Sequence, residues 1–296
     1  MARRAVAVAL MCVFVLGTVP GRTDARSGGC DLTRLSRARG RAEPYTPDPG
    51  EAAAMMADPR WRSRAGLRLA GESKIDVPVW VHVLRAGRLG AGDRAVKRQV
   101  AVLNKAYGGR LGGPDTGVRF HLAGITHTSD RRWFRDPLGS EVPLKTRLRR
   151  GGAETLNLYV AQLSEIVLGY STYPYRYAEN PILDGVVIDW RTLPGGSMTN
   201  FDRGLTSVHE IGHWMGLLHT FENGCGSPGD YVADTPPESE PTRGCPPRKD
   251  SCPAGGDDPV HNFMDYSYDR CMSHFTLGQV TRMHEMWSTY RKPHKV

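Results

Sequence analysis

Beyond its first twenty-five residues the sequence has no apolar run long enough to cross a bilayer, which argues against stable membrane insertion. It has no internal repeat, so a solenoid or propeller is excluded. No recognised nucleic-acid module is present, so the net charge of +8 does not point to nucleic acid as a partner. Part of that charge lies in Arg3, Arg4, Arg22 and Arg26 and in the Arg-rich stretch from Arg34 to Arg41. It reads as solubilising charge with, at most, an affinity for acidic surfaces. What remains is an ordinary globular composition. With 296 residues the chain can bury a normal core in one large domain or two small ones, and needs no unusual stapling to fold.

The N-terminus reads as an export signal. Ala2-Arg3-Arg4 gives a positive start, Ala5 to Val19 an apolar run, and Thr23-Asp24-Ala25 a small-x-small cleavage site, so residues 1–25 are expected to be removed from a secreted, extracellular protein. A lipoprotein anchor at Cys30 and an uncleaved membrane anchor are the alternatives. Residues 26–62 are polar and rich in Arg, Pro and Gly, with turn chemistry at Tyr45-Thr46-Pro47-Asp48-Pro49-Gly50 and a short helix starting near Glu51. They read as a pro-segment or an N-terminal arm. The run Asp58-Pro59-Arg60-Trp61-Arg62-Ser63-Arg64 is either a processing site or an exposed linker. Residues 63–296 are assigned to the main domain.

Six cysteines are present. Cys12 leaves with the signal, and Cys225, Cys245, Cys252 and Cys271 cluster late in the chain. In an oxidising compartment these four are expected to form two disulfides, which leaves Cys30 over.

Along the main domain, Ile75 to Leu84 alternates as a strand, and Val96, Val100, Leu103 and Tyr107 place an amphipathic helix over 93–107. Strands are expected at Val118–Ile125, Leu156–Leu163 and Val186–Trp190, with a short edge strand at 168–171. Helices are expected at Gly204–Leu217 and Leu277–Tyr290. Between Glu222 and Pro259, dense Gly and Pro imply a long irregular region pinned by disulfides.

The most informative stretch is His209-Glu210-Ile211-Gly212-His213-Trp214-Met215-Gly216-Leu217-Leu218-His219. Two histidines four apart on a helix share a face, about 6 Å apart along the axis, and can converge on one zinc. Glu210 lies too far round to be the third ligand, but reaches a water on the metal and serves as general base. Were the helix to continue, His219 would lie about 15 Å along the axis from His209. The helix must therefore stop between His213 and His219, and Gly216 supplies the left-handed residue that turns the chain back. The remaining histidines, His82, His121, His127, His261, His274, His284 and His294, lack ligand spacing and read as structural or exposed.

The extended motif, followed by Val232-Ala233-Asp234-Thr235-Pro236, Asn262-Phe263-Met264-Asp265-Tyr266, Cys271 and Phe275-Thr276-Leu277-Gly278-Gln279, resembles the metzincin zinc proteases, specifically the pappalysin family in its ulilysin-like branch. The likeness covers roughly residues 75 to 290. It implies an α+β metzincin-like zincin catalytic domain: a twisted, mixed, mostly parallel five-stranded sheet, an active-site helix, a C-terminal helix and an irregular, disulfide-pinned lower half. It also implies a Met-turn at Met264 beneath the ligands and an oxyanion-stabilising hydroxyl on Tyr266. Its disulfide pairing is Cys225–Cys252 with Cys245–Cys271. The oxygen-rich loop of Asp230, Asp234, Thr235 and Glu238 suits calcium, which the resemblance supports. Cys30, as a zinc-blocking thiol, is a candidate for latency, as in some metzincins.

The chain is thus expected to be a monomeric, secreted zinc endopeptidase that binds polypeptide along the edge strand near Gly169-Tyr170-Ser171. A non-catalytic zinc module would not need Glu210, and a thermolysin-like enzyme would take a later glutamate in place of His219. A hydrolase of non-peptide amides is left open by the zinc chemistry alone. Asp269 and Arg270, side by side before Cys271, leave the charge preference of the pocket after the scissile bond undecided.

Overall fold

The computed structural model describes residues 43–58, 60, 74–253 and 255–292. The signal segment and Cys30 lie outside these residues. Five strands form one sheet in the order β2-β1-β3-β5-β4. Strands β1 (Ile75–Arg85), β2 (Val118–Ser129), β3 (Leu156–Ala161) and β5 (Val186–Asp189) are mutually parallel. The short β4 (Gly169–Ser171) closes one edge antiparallel to β5.

Alternation in β1 sends Val77, Val79, Val81 and Val83 to one face. There they pack with Val96, Val100, Leu103 and Tyr107 of α2 (Asp93–Tyr107) and Val208 and Ile211 of α5 (Leu205–Trp214). The opposite face is covered by two short helices that the sequence reading does not contain, α3 (Arg131–Arg135) and α4 (Glu141–Leu148). Phe134, Leu144 and Leu148 pack there on Leu84, Tyr159 and Tyr170. Covered on both sides, β3 and β5 are buried at every position, as central parallel strands are. Strand β3 stops at Ala161 rather than Leu163 because the Leu163 N–H turns away to the buried carboxylate of Asp189, 2.7 Å off.

The C-terminal helix α6 (Leu277–Met286) begins with a Thr276–Gln279 capping box and continues as a wider turn over Trp287–Arg291 instead of running α-helical to Tyr290. Arg291 is fully buried. It lies 3.6 Å over the Trp214 ring, pairs with Asp184 at 3.1 Å and donates to the Trp214 carbonyl at 2.8 Å, so it ties this end of the chain to the last residue of α5.

The described residues from 218 to 275 contain no helix or strand beyond isolated bridges. Two disulfides hold them, Cys225–Cys252 and Cys245–Cys271, with Cα separations of 5.5 and 5.8 Å, in the interlaced pairing that the resemblance implies. Among the described helices none is long and apolar enough to cross a membrane.

The described part of the N-terminal arm belongs to the same compact unit as the main domain, which spans Gly40–Val296. Asp48 caps α1 (Pro49–Ala57), whose Ala52, Met55 and Met56 are buried against Tyr173, Leu218 and Met286.

Candidate active site

Helix α5 is buried at every residue, and His209, Glu210 and His213 project from it. Its end is fixed by the backbone: the Gly216 N–H donates to the His213 carbonyl and the Leu217 N–H to the Gly212 carbonyl. Gly216 has φ of +96°, and a Cβ there would lie 2.5 Å from Cγ of Met286, so both conformation and space require glycine. The helix ends at Trp214, short of the Leu217 expected, and the turn brings His219 back to the other two histidines.

The same turn orients a ring. The Leu217 carbonyl lies 2.8 Å from His213 Nδ1, and the Phe263 carbonyl 2.6 Å from His209 Nδ1. Carbonyls can only accept, so each Nδ1 carries the proton and each Nε2 presents a lone pair. Burial pushes the His219 imidazole down to about 4 and lowers His213 as well, which keeps both rings neutral near pH 7.

The Nε2 atom of His213 is 3.1 Å from that of His209 and 3.1 Å from that of His219. Lone pairs facing one another at this distance repel unless a cation lies among them. Four ligands held roughly 2.0–2.1 Å from one zinc in a tetrahedron stand about 3.3 Å apart, so the set fits that ion.

Met264 is fully buried beside Gly212, whose missing side chain leaves room for its sulfur. The Met264 carbonyl accepts from the Thr220 N–H at 3.2 Å, which fastens the segment after His219 to this floor. The Tyr266 ring lies 5.6 Å from His209 and 5.1 Å from His219. Glu210 is 2 % exposed and lines a pocket with Leu205, Thr206, His209, Asp269 and Met272. Strand β4 passes so close that a Cβ on Gly169 would meet its Cγ and Oε1 at 2.6 Å. Asp269 is buried at this pocket with Oδ2 accepting from the Arg203 N–H, whereas Arg270 turns outward to Asn200 and the Tyr268 ring.

Three residues of the site carry no motif that singles them out. The Glu43 carboxylate lies 3.0–3.1 Å from all three Nε2 atoms, and with the three histidines it forms the metal-binding group found among the described residues. The Tyr173 hydroxyl is 2.9 Å from His213 Nδ1. Gly169 is the third, and its only sequence signal is a glycine in a short edge strand, the usual mark of a close backbone approach.

The four oxygen-bearing residues expected around calcium do not converge. Asp234 accepts from Thr276 Oγ1 at 2.7 Å and the Gly278 N–H at 2.8 Å, at the start of α6. Glu238 accepts from Thr220, Thr242 and Lys249. Only Asp230 and Thr235 remain side by side, and burial pushes the Asp230 carboxyl up to about 7. Of the other histidines, His82 is buried in the sheet and His284 Nε2 donates to the Thr116 carbonyl at 2.7 Å. His294 lies outside the described residues.

A model of the pregnancy-associated plasma protein-A peptidase family matches residues 157–288. Extracellular metalloprotease 1 of Coccidioides posadasii is 42 % identical over 227 residues, which cover 74 % of this chain and 79 % of the relative. An extracellular metalloprotease of Neurospora crassa is 43 % identical over 231 residues, covering 75 % and 78 %. Among solved structures, a point mutant of promirolysin from Tannerella forsythia superposes with a TM-score of 0.68 at 29 % identity, covering 82 % of this chain and 91 % of that one. Mature mirolysin in complex with a cleaved peptide gives 0.64 at 29 % identity, covering 75 % and 100 %.

Proposed function

The chain belongs to the pregnancy-associated plasma protein-A (pappalysin) family of zinc metalloendopeptidases, and from that premise we propose that it is a secreted endopeptidase with His209, His213 and His219 as its zinc ligands and Glu210 as its general base. The observation that carries this reading is the meeting of three imidazole Nε2 atoms, two of them fixed as lone-pair donors by carbonyls behind the rings. When bound, zinc supplies a Lewis acid that polarises the scissile carbonyl and acidifies water. Glu210, buried next to the histidines, accepts the proton of the attacking water and passes it to the leaving amine. Tyr266, packed between His209 and His219, directs its hydroxyl to the oxygen on which charge develops. Substrate lies extended along β4, the antiparallel sheet edge, where backbone pairing adds affinity without sequence preference. Mature mirolysin, which holds a cleaved peptide, offers the same fold for that task.

The position of Asp269 supports one reading of the charge question that the sequence leaves open. Asp269 faces the pocket next to His209 and Glu210 while Arg270 points away, so a basic side chain is favoured after the scissile bond.

The test is Glu210→Gln. Peptide hydrolysis should fall by about 10²–10⁴-fold with zinc content and circular dichroism unchanged. Casein digestion at near wild-type rate by the purified variant would refute the mechanism. A peptide-library profile should show Lys or Arg just after the cut, and Asp269→Asn should reduce that preference about tenfold, roughly 1.4 kcal/mol. An unchanged profile would remove Asp269 from the specificity pocket.

A further inference from the structure

The one carboxylate among the described residues that faces all three histidine Nε2 atoms comes from the N-terminal arm, and it is Glu43. Its Oε1 lies 3.1 Å from His209 Nε2, and its Oε2 lies 3.1 Å from His213 Nε2 and 3.0 Å from His219 Nε2. At least two of these nitrogens present lone pairs, because their Nδ1 protons are committed to the Phe263 and Leu217 carbonyls. A carboxylate gains nothing by facing lone pairs. Four electron-rich groups gathered in this way describe the shell of a cation, with the carboxylate at the fourth corner.

The arm is built to keep it there. Two residues on, the Tyr45 hydroxyl donates to the Glu141 carboxylate, itself paired with the buried Lys145 at 2.6 Å, and the Tyr45 ring meets Tyr170 of β4 at 5.9 Å. Helix α1 follows, with Met55 and Met56 buried against Tyr173, Leu218 and Met286. Tyr173 in turn touches the metal site through His213. Further along, Glu51 meets Tyr175 and Arg176, and Asp58 accepts from the Tyr290 hydroxyl at 2.6 Å. The carboxylate is therefore delivered by an anchored segment and not by a free tail. Glu43 also lines the pocket that contains Glu210 and Asp269, so the arm occupies space that substrate needs.

Resting on the zinc-protease reading, we infer that Glu43 is the fourth zinc ligand of the unprocessed chain and the residue that holds it latent. The carboxylate fills the position that the attacking water requires, next to Glu210. Hydrolysis of the chain beyond α1, in the Arg-rich stretch at Arg60, Arg62 and Arg64, cuts the arm from the domain and lets Glu43 leave. Cys30, the other candidate for the blocking group, lies outside the described residues.

The full chain carrying Glu210→Gln, which prevents self-cleavage, is loaded with cobalt(II) in place of zinc. Its visible spectrum is recorded with and without acetohydroxamic acid. The spectrum of the chain with Glu43 should not respond at hydroxamate concentrations that shift the spectra of the Glu43→Ala and Glu43→Gln chains. Equal responses in all three would overturn the inference. So would a Cys30→Ser chain that opens to hydroxamate while Glu43→Ala does not, because the thiol would then be the block. With Glu210 intact, and with chain integrity checked by mass, Glu43→Ala should hydrolyse a quenched peptide roughly 100-fold faster than the unprocessed wild type, as expected for a latch closed about 99 % of the time. Equal rates would also overturn it. Processed wild-type enzyme is the control for the protease reading: if it fails to hydrolyse peptides, that reading falls, while the cobalt spectra still decide the role of Glu43.

Discussion

Helix α5 and the loops below it each contribute to one site, but they hold their residues in different ways. In the sheet half, His209, Glu210 and His213 are spaced by helical geometry on an element whose other side chains, Val208, Ile211 and Trp214, are fully buried. In the loop half, His219, Met264 and Tyr266 sit on irregular chain, and tethers replace the core. The Thr220 N–H donates to the Met264 carbonyl, Asp265 accepts from the Thr242 and Tyr266 N–H groups, and Asn262 exchanges hydrogen bonds with Gln279 of α6. Position in the first half follows from local repetition. In the second it depends on bonds between residues far apart in sequence, so the loop half should be the more fragile whenever a tether is removed.

Cutting a disulfide probes that fragility most strongly. The two bridges close loops with separations of 27 and 26 residues. In the chain-entropy account each is worth about 3 kcal/mol. Cys245→Ser with Cys271→Ser should lower the unfolding free energy by that amount, shift the urea midpoint down and speed release of zinc to a chelator, because Met264 and Tyr266 lie just before Cys271. An unchanged midpoint together with unchanged zinc release would mean that the loop half is held by its hydrogen bonds alone.

The same contrast explains what was legible in the sequence. Strand β1, helix α2 and helix α5 declare themselves because period 2 or 3.6 is a local property of consecutive residues. The turn at Gly216 was legible because a third histidine ten residues on demanded it. Helices α3 and α4 escaped because they are short, five and eight residues, and three of the five residues of α3 are arginine. Leu144 and Leu148 bury one face of α4, and the Lys145–Glu141 pair buried with them looks like an exposed charge pair until the sheet is placed over it. Glu43 and Tyr173 were illegible for another reason: each meets the histidines from far away in sequence, 176 residues in the case of Glu43 and His219, and no local pattern records such a contact. The calcium expectation named four residues from an oxygen-rich loop and the resemblance, and neither shows that Asp234 and Glu238 are already engaged.

Acid should loosen the sheet half in particular. His82 is fully buried between β2 and β3, with Nδ1 2.8 Å from Thr126 Oγ1, Nε2 3.0 Å from Asn157 Oδ1 and its ring stacked on Tyr159. Burial lowers it to about 4, and Arg150 adds to the shift against the Asn157 contact. The unfolded imidazole titrates near 6.5. Between those values the unfolded chain binds the extra proton, so stability is complete above pH about 6.5 and falls as pH drops towards 4, by at most about 3 kcal/mol. His82→Gln should flatten that segment of the stability–pH curve measured by urea unfolding. A slope that survives in His82→Gln would assign the acid loss to other groups.

Calcium is expected to give the smallest effect, and it tests the loop half alone. Asp234 accepts from Thr276 and the Gly278 N–H at the start of α6, and Glu238 is bound to Lys249 and two threonines, so Asp230 and the neighbouring Thr235, with backbone oxygens to complete a shell, are the ligands to test. The Asp230 carboxyl is pushed up to about 7 mainly because nothing nearby outweighs its burial, and a cation would supply that missing charge. Calcium at about five times its dissociation constant should stabilise the chain by roughly 1 kcal/mol, a rise of about 2–4 °C in Tm. Asp230→Asn should abolish that rise. Glu238→Gln separates the two accounts: if Glu238 is a tether, its loss lowers Tm but leaves the calcium increment intact, and if it is a ligand the increment disappears. Should wild type show no increment at all, the Asp230 loop is an acidic turn and the loop half is held by its disulfides and hydrogen bonds without a second ion.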